Sequence, residues 1–182
     1  MTHPALPAGI RLRTEAPADA PAIRAVTDAA FAPSTDEGRI VDTLRDDPDA
    51  WVPELSVVAV DDVGAIVGHV VTSRGTLHGP GGEVRPILGL GPISVAPERQ
   101  GQGIGGALMR ESIARATMTG WPVIVLLGHA DYYPRFGFEP ARALGIEPPQ
   151  PWGDAHWMAL RLPGWTPDVR GTMRYPEAFG ID

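Results

Sequence analysis

Along this chain the spacing of apolar residues alternates between strand-like and helical. Arg11–Thr14 reads as a short first strand. Ile23, Val26 and Ala30 then follow helical spacing, so Ala16–Phe31 reads as a helix, with Asp19 as its cap and Pro21 in its first turn. Pro33 breaks it. Ser34 and Glu37 have capping-box spacing, and Ile40, Val41 and Leu44 predict a second short helix that ends before Pro48. Leu55–Val60 and Ile66–Ser73 read as strands joined by the turn Asp61-Asp62-Val63-Gly64, which makes them a hairpin. After the Gly-rich stretch His78–Glu83 comes a third apolar segment, Pro86–Val95, whose Gly89, Gly91 and Pro92 imply a bulge or an unpaired edge. Leu108, Met109, Ile113 and Ala116 mark one face of a helix that Gly120 terminates. Val123–Leu127 has no polar alternation and predicts a strand buried on both faces. Gly128–Phe138 reads as a turn and a short helix, followed by two short strands, Trp157–Leu162 and Gly171–Tyr175. The order β-α-α-β-β-β-α-β-α-β-β predicts a mixed sheet in a single α/β domain over 1–182, with a core of about 11–162 and a C-terminal strand region over 163–182.

Composition narrows the function. Of 182 residues, 22 are Gly and 20 are Pro, yet 43% are hydrophobic and only 20% charged, which argues for a packed domain. A net charge of −7 and no basic stripe argue against a nucleic-acid partner and lean faintly toward cationic ligands. With no cysteine there is no disulfide, thiolate nucleophile or Cys-ligated zinc, and no metal site is expected. Met1–Ile10 lacks the apolar stretch of a signal peptide, and no apolar run is long enough to cross a bilayer, so the expected location is the cytoplasm, away from membranes.

The segment Gln100–Gly106 places four glycines in six residues at a strand-to-helix junction. A helix start offers free N–H groups and partial positive charge, and glycines let a pyrophosphate come close. Gly101, Gly103 and Gly106 spell the dinucleotide fingerprint, which would make the chain an oxidoreductase. Ala96–Gln100 separates those glycines from the strand, and the loop lies past mid-chain, so that reading is disfavoured. A loop used only for tight packing is the bland alternative.

A second design fits. Gln100-x-x-Gly103-x-Gly105, preceded by Ile93-Ser94-Val95, resembles the acyl-CoA signature of the GNAT superfamily of N-acyltransferases. Tyr132-Tyr133-Pro134-Arg135-Phe136-Gly137-Phe138 resembles that family's later motif, a Tyr four residues before a Gly-Phe pair. Gly171–Phe179 is similar to the ending of one bacterial branch of predicted N-acetyltransferases, so the resemblance spans Arg11–Phe179. It implies a GNAT-like fold: a mixed, mostly antiparallel sheet splayed between its fourth and fifth strands and flanked by helices. It also implies acetyl-CoA as cosubstrate, bound by Ile93, Ser94, Val95, Gln100, Gly101, Gln102, Gly103, Ile104, Gly105 and Gly106. The backbone of Ile93 and Val95 would pair with the pantetheine arm, and an N–H near Val95 would polarise the thioester carbonyl.

The implied reaction is direct transfer of acetyl to a primary amine in a ternary complex. Tyr133 stands at the family's general-acid position; packing is its alternative role. For the base, His129 and Asp131 follow the buried strand, and a water chain is the other option. Arg99 could touch a phosphate or form a surface ion pair. His78 and Glu83 read as solvated loop residues, Glu98 flanks the phosphate loop beside Arg99, His156 reads as acceptor-side, and Trp152 and Trp157 as acceptor-side or core. A non-catalytic acyl-CoA sensor of the same fold is the competing function. The acceptor is a small-molecule or peptide amine, and a homodimer is left open.

Overall fold

The computed structural model describes residues 6–181. Among these described residues three α-helices, α1 (Ala20–Phe31), α2 (Asp36–Arg45) and α3 (Ile104–Met118), flank one sheet. Its strands are β1 (Arg11–Thr14), β2 (Ser56–Val60), β3 (Ile66–His78), β4 (Val84–Val95), β5 (Val123–Leu127), β6 (Glu139–Pro140), β7 (Ile146–Glu147), β8 (Trp157–Arg161) and β9 (Gly171–Arg174). The main path is β1-β2-β3-β4-β5-β8-β6. All its pairs are antiparallel except β4–β5, which is parallel.

Several boundaries differ from the sequence reading. The first helix begins at Ala20 behind a 3-10 turn, Pro17–Asp19, and Asp19 makes no side-chain cap. Asp19 instead pairs with Arg13 on β1 and accepts from the Ala16 N–H. Ser34 and Glu37 do meet, but side chain to side chain, with the Ser34 hydroxyl donating to Glu37 at 2.7 Å; the N-cap is Thr35. The expected helix after β5 is a single 3-10 turn, Tyr133–Phe136. β3 runs five residues past Ser73 because it has partners there that only tertiary structure supplies. β4 covers one edge and β9, from the far end of the chain, covers the other through Thr76↔Arg174, Leu77↔Met173 and His78↔Thr172. The C-terminal strand region is therefore woven into the same sheet.

The sheet separates three apolar clusters. β5 shows how: Ile124 and Leu126 face the α3 side, while Val123 and Val125 face the side of Trp157 and Met173. That period-2 split is why a continuous apolar run was needed. The third cluster lies under α1 and α2, around Ile23, Val41, Leu44, Val58 and Val71. Buried hydroxyl pairs pin the helices in register: Thr27 on α1 to Ser94 on β4 (3.1 Å), and Ser112 on α3 to Thr72 on β3 (2.9 Å).

A charged network fixes α2. Glu15, just after β1, accepts hydrogen bonds from Arg45 of α2 (2.7 Å) and from the Ser56 hydroxyl. Arg45 reaches Asp42 (2.8 Å), and Arg24 of α1 bridges Asp42 (2.9 Å) and Asp28 (2.8 Å). His69 on β3 is fully buried, and its Nε2 lies 2.9 Å from the Ser56 hydroxyl and 3.4 Å from Glu15. Burial pulls the His69 pKa down, and Glu15 offsets this only in part, so the ring is neutral. Its Nδ1 has no hydrogen-bond partner among the described residues. With the proton on Nε2, the orphan is a lone pair rather than an N–H. Burial would raise the Glu15 pKa, but hydrogen bonds from His69, Arg45 and Ser56 outweigh it and hold the carboxyl at about 2.

Candidate active site

β4 and β5 pair only at Leu88↔Ile124 and Gly89↔Val125, although both strands continue. The separation has a local cause. Between Val70↔Ile93 and Thr72↔Leu90 one residue of β3 faces two of β4, Gly91 and Pro92, and Gly91 has a φ of +139°. This bulge turns β4 away from β5. Beyond Gly89 the β5-facing edge of β4 has no strand partner among the described residues.

A cavity of about 750 Å³ fills the opening. Leu90, Gly91, Pro92, Ile93 and Val95 form its β4 wall, and Leu127, Gly128 and His129 its β5 wall. At one end it meets a second pocket, of about 410 Å³, over the start of α3. There Gly101 and Gly103 take left-handed φ values of +75° and +84°, which bring the backbone round into the helix. The first N–H to bond inside α3 is that of Ala107, to the Gly103 carbonyl, so the preceding N–H groups at the helix start point outward. Gln100 anchors the loop by donating to the Val95 carbonyl at 3.1 Å. Arg99, which also pairs with Asp61 at 3.8 Å, and Arg110 and Arg135 line this pocket. It is a local cationic site on a chain of net charge −7.

The expected cofactor residues therefore occupy different positions. Ile93, Val95, Gln100 and Gly105 line the main cavity, and Gly101, Gly103, Ile104, Gly105 and Gly106 line the smaller pocket. The Ser94 hydroxyl turns the other way, into the α1 interface, and the Gln102 amide bonds back to the Glu98 carbonyl. The Ile104 side chain is buried in the core. Arg110 and Arg135 escaped the sequence reading. Arg110 lies one helical turn below Gly106, on the same face, a spacing that could have flagged it.

Tyr133 is buried at the junction of cavity and core. Its ring is wedged edge-on between Tyr132 (centroids 5.0 Å apart) and Phe138 (6.0 Å). Gly128 makes room for it, since a Cβ there would lie 2.1 Å from the Tyr133 ring. Gly128 is held in turn by His156, whose carbonyl accepts the Gly128 N–H (2.9 Å) and whose Nδ1 donates to the Gly128 carbonyl (3.0 Å). Burial, with a smaller contribution from Tyr132, raises the Tyr133 hydroxyl to about 12. Of the two proposed bases, His129 is exposed and lines the cavity, whereas Asp131 is exposed and does not line it.

The far wall comes from elements that the sequence did not connect. Phe31 of α1, Glu37 and Ile40 of α2, Trp152, Tyr175 and Phe179 line it. Trp152 is thus a wall residue, while Trp157 is fully buried and donates its indole N–H to the Ile146 carbonyl. His78 and Glu83 sit on the β3–β4 hairpin, outside the cavity. Among the described residues, no cluster of potential metal ligands occurs and no helix is long and apolar enough to cross a membrane.

The fold as a whole is similar to that of solved N-acetyltransferases. The GNAT family N-acetyltransferase YhbS from Escherichia coli, solved in complex with CoA, is 31% identical, superposes with a TM-score of 0.84, and aligns over 99% of this chain and 96% of its own. A GNAT family acetyltransferase from Brucella melitensis, solved with acetyl-CoA, is 38% identical with a TM-score of 0.74, over 93% and 97%. The uncharacterized N-acetyltransferase YjhQ of E. coli K12 is 38% identical over 86% of each chain. The family model of the acetyltransferase (GNAT) domain matches residues 11–141. The chain belongs to the GNAT family of N-acetyltransferases.

Proposed function

We propose that the protein transfers an acetyl group from acetyl-CoA to a primary amine by direct attack, with Tyr133 as general acid. The observation that carries this reading is the continuity of three features: the unpaired edge of β4, the cationic glycine loop, and a buried phenol between them. The site fits the cosubstrate. The free N–H groups of the α3 start and the guanidiniums of Arg99, Arg110 and Arg135 suit a pyrophosphate, and β4 offers backbone partners to an extended amide-bearing arm. The acetyl-CoA-bound relative from Brucella supports the same assignment.

The residues then divide the work. The β4 edge holds the thioester, with an N–H near Val95 facing its carbonyl oxygen. The amine, which must first lose a proton, forms the new C–N bond as the C–S bond breaks. Tyr133 gives its hydroxyl proton to the departing sulfur, and the amine's protons leave through His129 or water at the cavity mouth. A phenol raised to about 12 stays protonated throughout the neutral range, so the donor is always loaded. The thiolate forms in the same desolvated place, where burial raises its basicity too, so the proton passes between two groups shifted in the same direction. The cytoplasm, where acetyl-CoA is made, suits this activity.

Calorimetric titration with acetyl-CoA, CoA and NAD, together with thiol release over a panel of amines, tests the reading. Acetyl-CoA is expected to bind and NAD to fail. Tyr133→Phe is expected to lower turnover about 100-fold with little change in cosubstrate affinity. Tight NAD binding without CoA binding overturns the assignment. Unchanged turnover of Tyr133→Phe at every pH removes Tyr133 from the acid role.

A further inference from the structure

The cavity wall opposite the glycine loop has an uneven charge distribution. Among its lining residues Glu37 is the one carboxylate, and neither Lys nor Arg is present. The neighbouring carboxylates of α2 are neutralised: Asp36 by Arg39 (3.2 Å), and Asp42 by Arg24 (2.9 Å) and Arg45 (2.8 Å). Glu37 has no cation partner among the described residues; it accepts only the Ser34 hydroxyl. Around it the wall is apolar and aromatic. Phe31 and Ile40 stand on the helical side, and Trp152, Tyr175 and Phe179 form a shelf on the other, with Tyr175–Phe179 centroids 4.7 Å apart and Trp152–Tyr175 6.2 Å apart.

We propose that Glu37 and this aromatic shelf select the acceptor, which is a primary amine on an apolar, preferably aryl, carbon skeleton that carries no second charge. The proposal rests on the N-acetyltransferase reading above. An incoming ammonium finds in Glu37 the counterion the protein leaves unpaired, and its carbon skeleton finds aromatic faces. An acceptor carboxylate would find no Lys or Arg in the lining, with Glu37 repelling it. A second ammonium would have to lose its water against aromatic walls without a partner. The cavity thus favours decarboxylated amines over the corresponding amino acids and over polyamines.

The test compares matched pairs with the intact 182-residue chain: 2-phenylethylamine against L-phenylalanine and tryptamine against L-tryptophan, with spermidine as the polycation. CoA release is measured with acetyl-CoA saturating, and amine binding is measured on the CoA-bound protein. The monoamines are expected to exceed their amino acids and spermidine about 100-fold in kcat/KM. Glu37→Gln is expected to raise the monoamine KM about 30-fold. Its kcat and its acetyl-CoA KM should stay near wild type, a split that separates amine recognition from a base role or from damage to the fold. Phenylalanine or spermidine matching phenylethylamine overturns the proposal, as does a Glu37→Gln KM within twofold of wild type, or acetyl-CoA binding without turnover or binding of either monoamine. If Glu37→Gln fails to fold, the wild-type pairs decide alone. Failure of acetyl-CoA itself to bind is a different result and brings down the underlying reading.

Discussion

On the β4 and glycine-loop side of the cavity, a ligand would meet mostly main chain: the unpaired edge of β4, the N–H groups at the start of α3, and glycines that keep side chains out of the way. On the α1–α2 and C-terminal side it would meet side chains: Phe31, Glu37, Trp152, Tyr175 and Phe179. The backbone of the first half can recognise only what all its ligands share, and Arg99, Arg110 and Arg135 add to it an attraction for anionic charge. The second half can change its chemistry one substitution at a time. Tyr133 stands at the boundary, buried like a core residue and open to both.

That contrast can be broken most sharply at Gly128. Replacing it with Ala drives a Cβ into a ring that Tyr132 and Phe138 prevent from moving. The expected result is a roughly 100-fold loss of turnover from a displaced acid, with about 1–3 kcal/mol of destabilisation, measured by thiol release and urea unfolding. Acetyl-CoA affinity should change much less, because the glycine loop lies elsewhere.

Next in size is Glu15→Gln, which strips Arg45 of one of its two carboxylate partners and loosens α2, and so the acceptor side alone. About 3 kcal/mol of stability is expected to go. The same variant has a pH signature. The Glu15 pKa is depressed, so its contribution is full above about pH 4.5 and is lost as pH falls toward about 2. His69, also depressed, binds a proton more readily unfolded than folded, so wild-type stability starts to fall as pH drops through its ordinary value of 6.5. Denaturation midpoints across this range should show the loss between pH 4.5 and 2 flattened in the variant.

On the alkaline side Tyr133 acts with the opposite sense. Its raised pKa makes the folded state hold a proton that the unfolded chain has released, so stability falls as pH rises from about 10 to about 12. Tyr133→Phe should remove part of that slope in midpoints measured between those limits.

The smallest effect sharpens the contrast from the main-chain side. Arg110→Ala removes one of three guanidiniums from the pocket over α3. The acetyl-CoA KM is expected to rise about five-fold with kcat unchanged, since the free N–H groups remain and the pocket is open to solvent.

Where the sequence was legible, the signal was local. Glycines between Gln100 and Gly106, helical spacing from Leu108 to Ala116, and the apolar run Val123–Leu127 each act through neighbours in the chain, and each element lies where its pattern puts it. The Asp61–Gly64 turn is another case: Asp61 accepts from the Val63 and Ala65 N–H groups, and Gly64 takes a φ of +88°. The second half of β3 was not legible, because its partner β9 lies about a hundred residues away. The acceptor wall was illegible for the same reason. Glu37 looked like a capping residue and Tyr175 like part of a strand, and only the packing of α2 against the C-terminal 3-10 turn Glu177–Phe179 places them in one wall.

The two-residue pairing of β4 with β5 also bears on the life of the protein before it meets its cosubstrate. An unsatisfied strand edge is a template for pairing with other chains, and here it borders Leu127, an apolar residue 46% exposed. A bound acetyl-CoA would occupy that edge and, at a hundred times its Kd, add about 2.7 kcal/mol to folding. The substrate would then protect its own enzyme from aggregation, and the amount of usable protein in a cell would rise and fall with the acetyl-CoA supply.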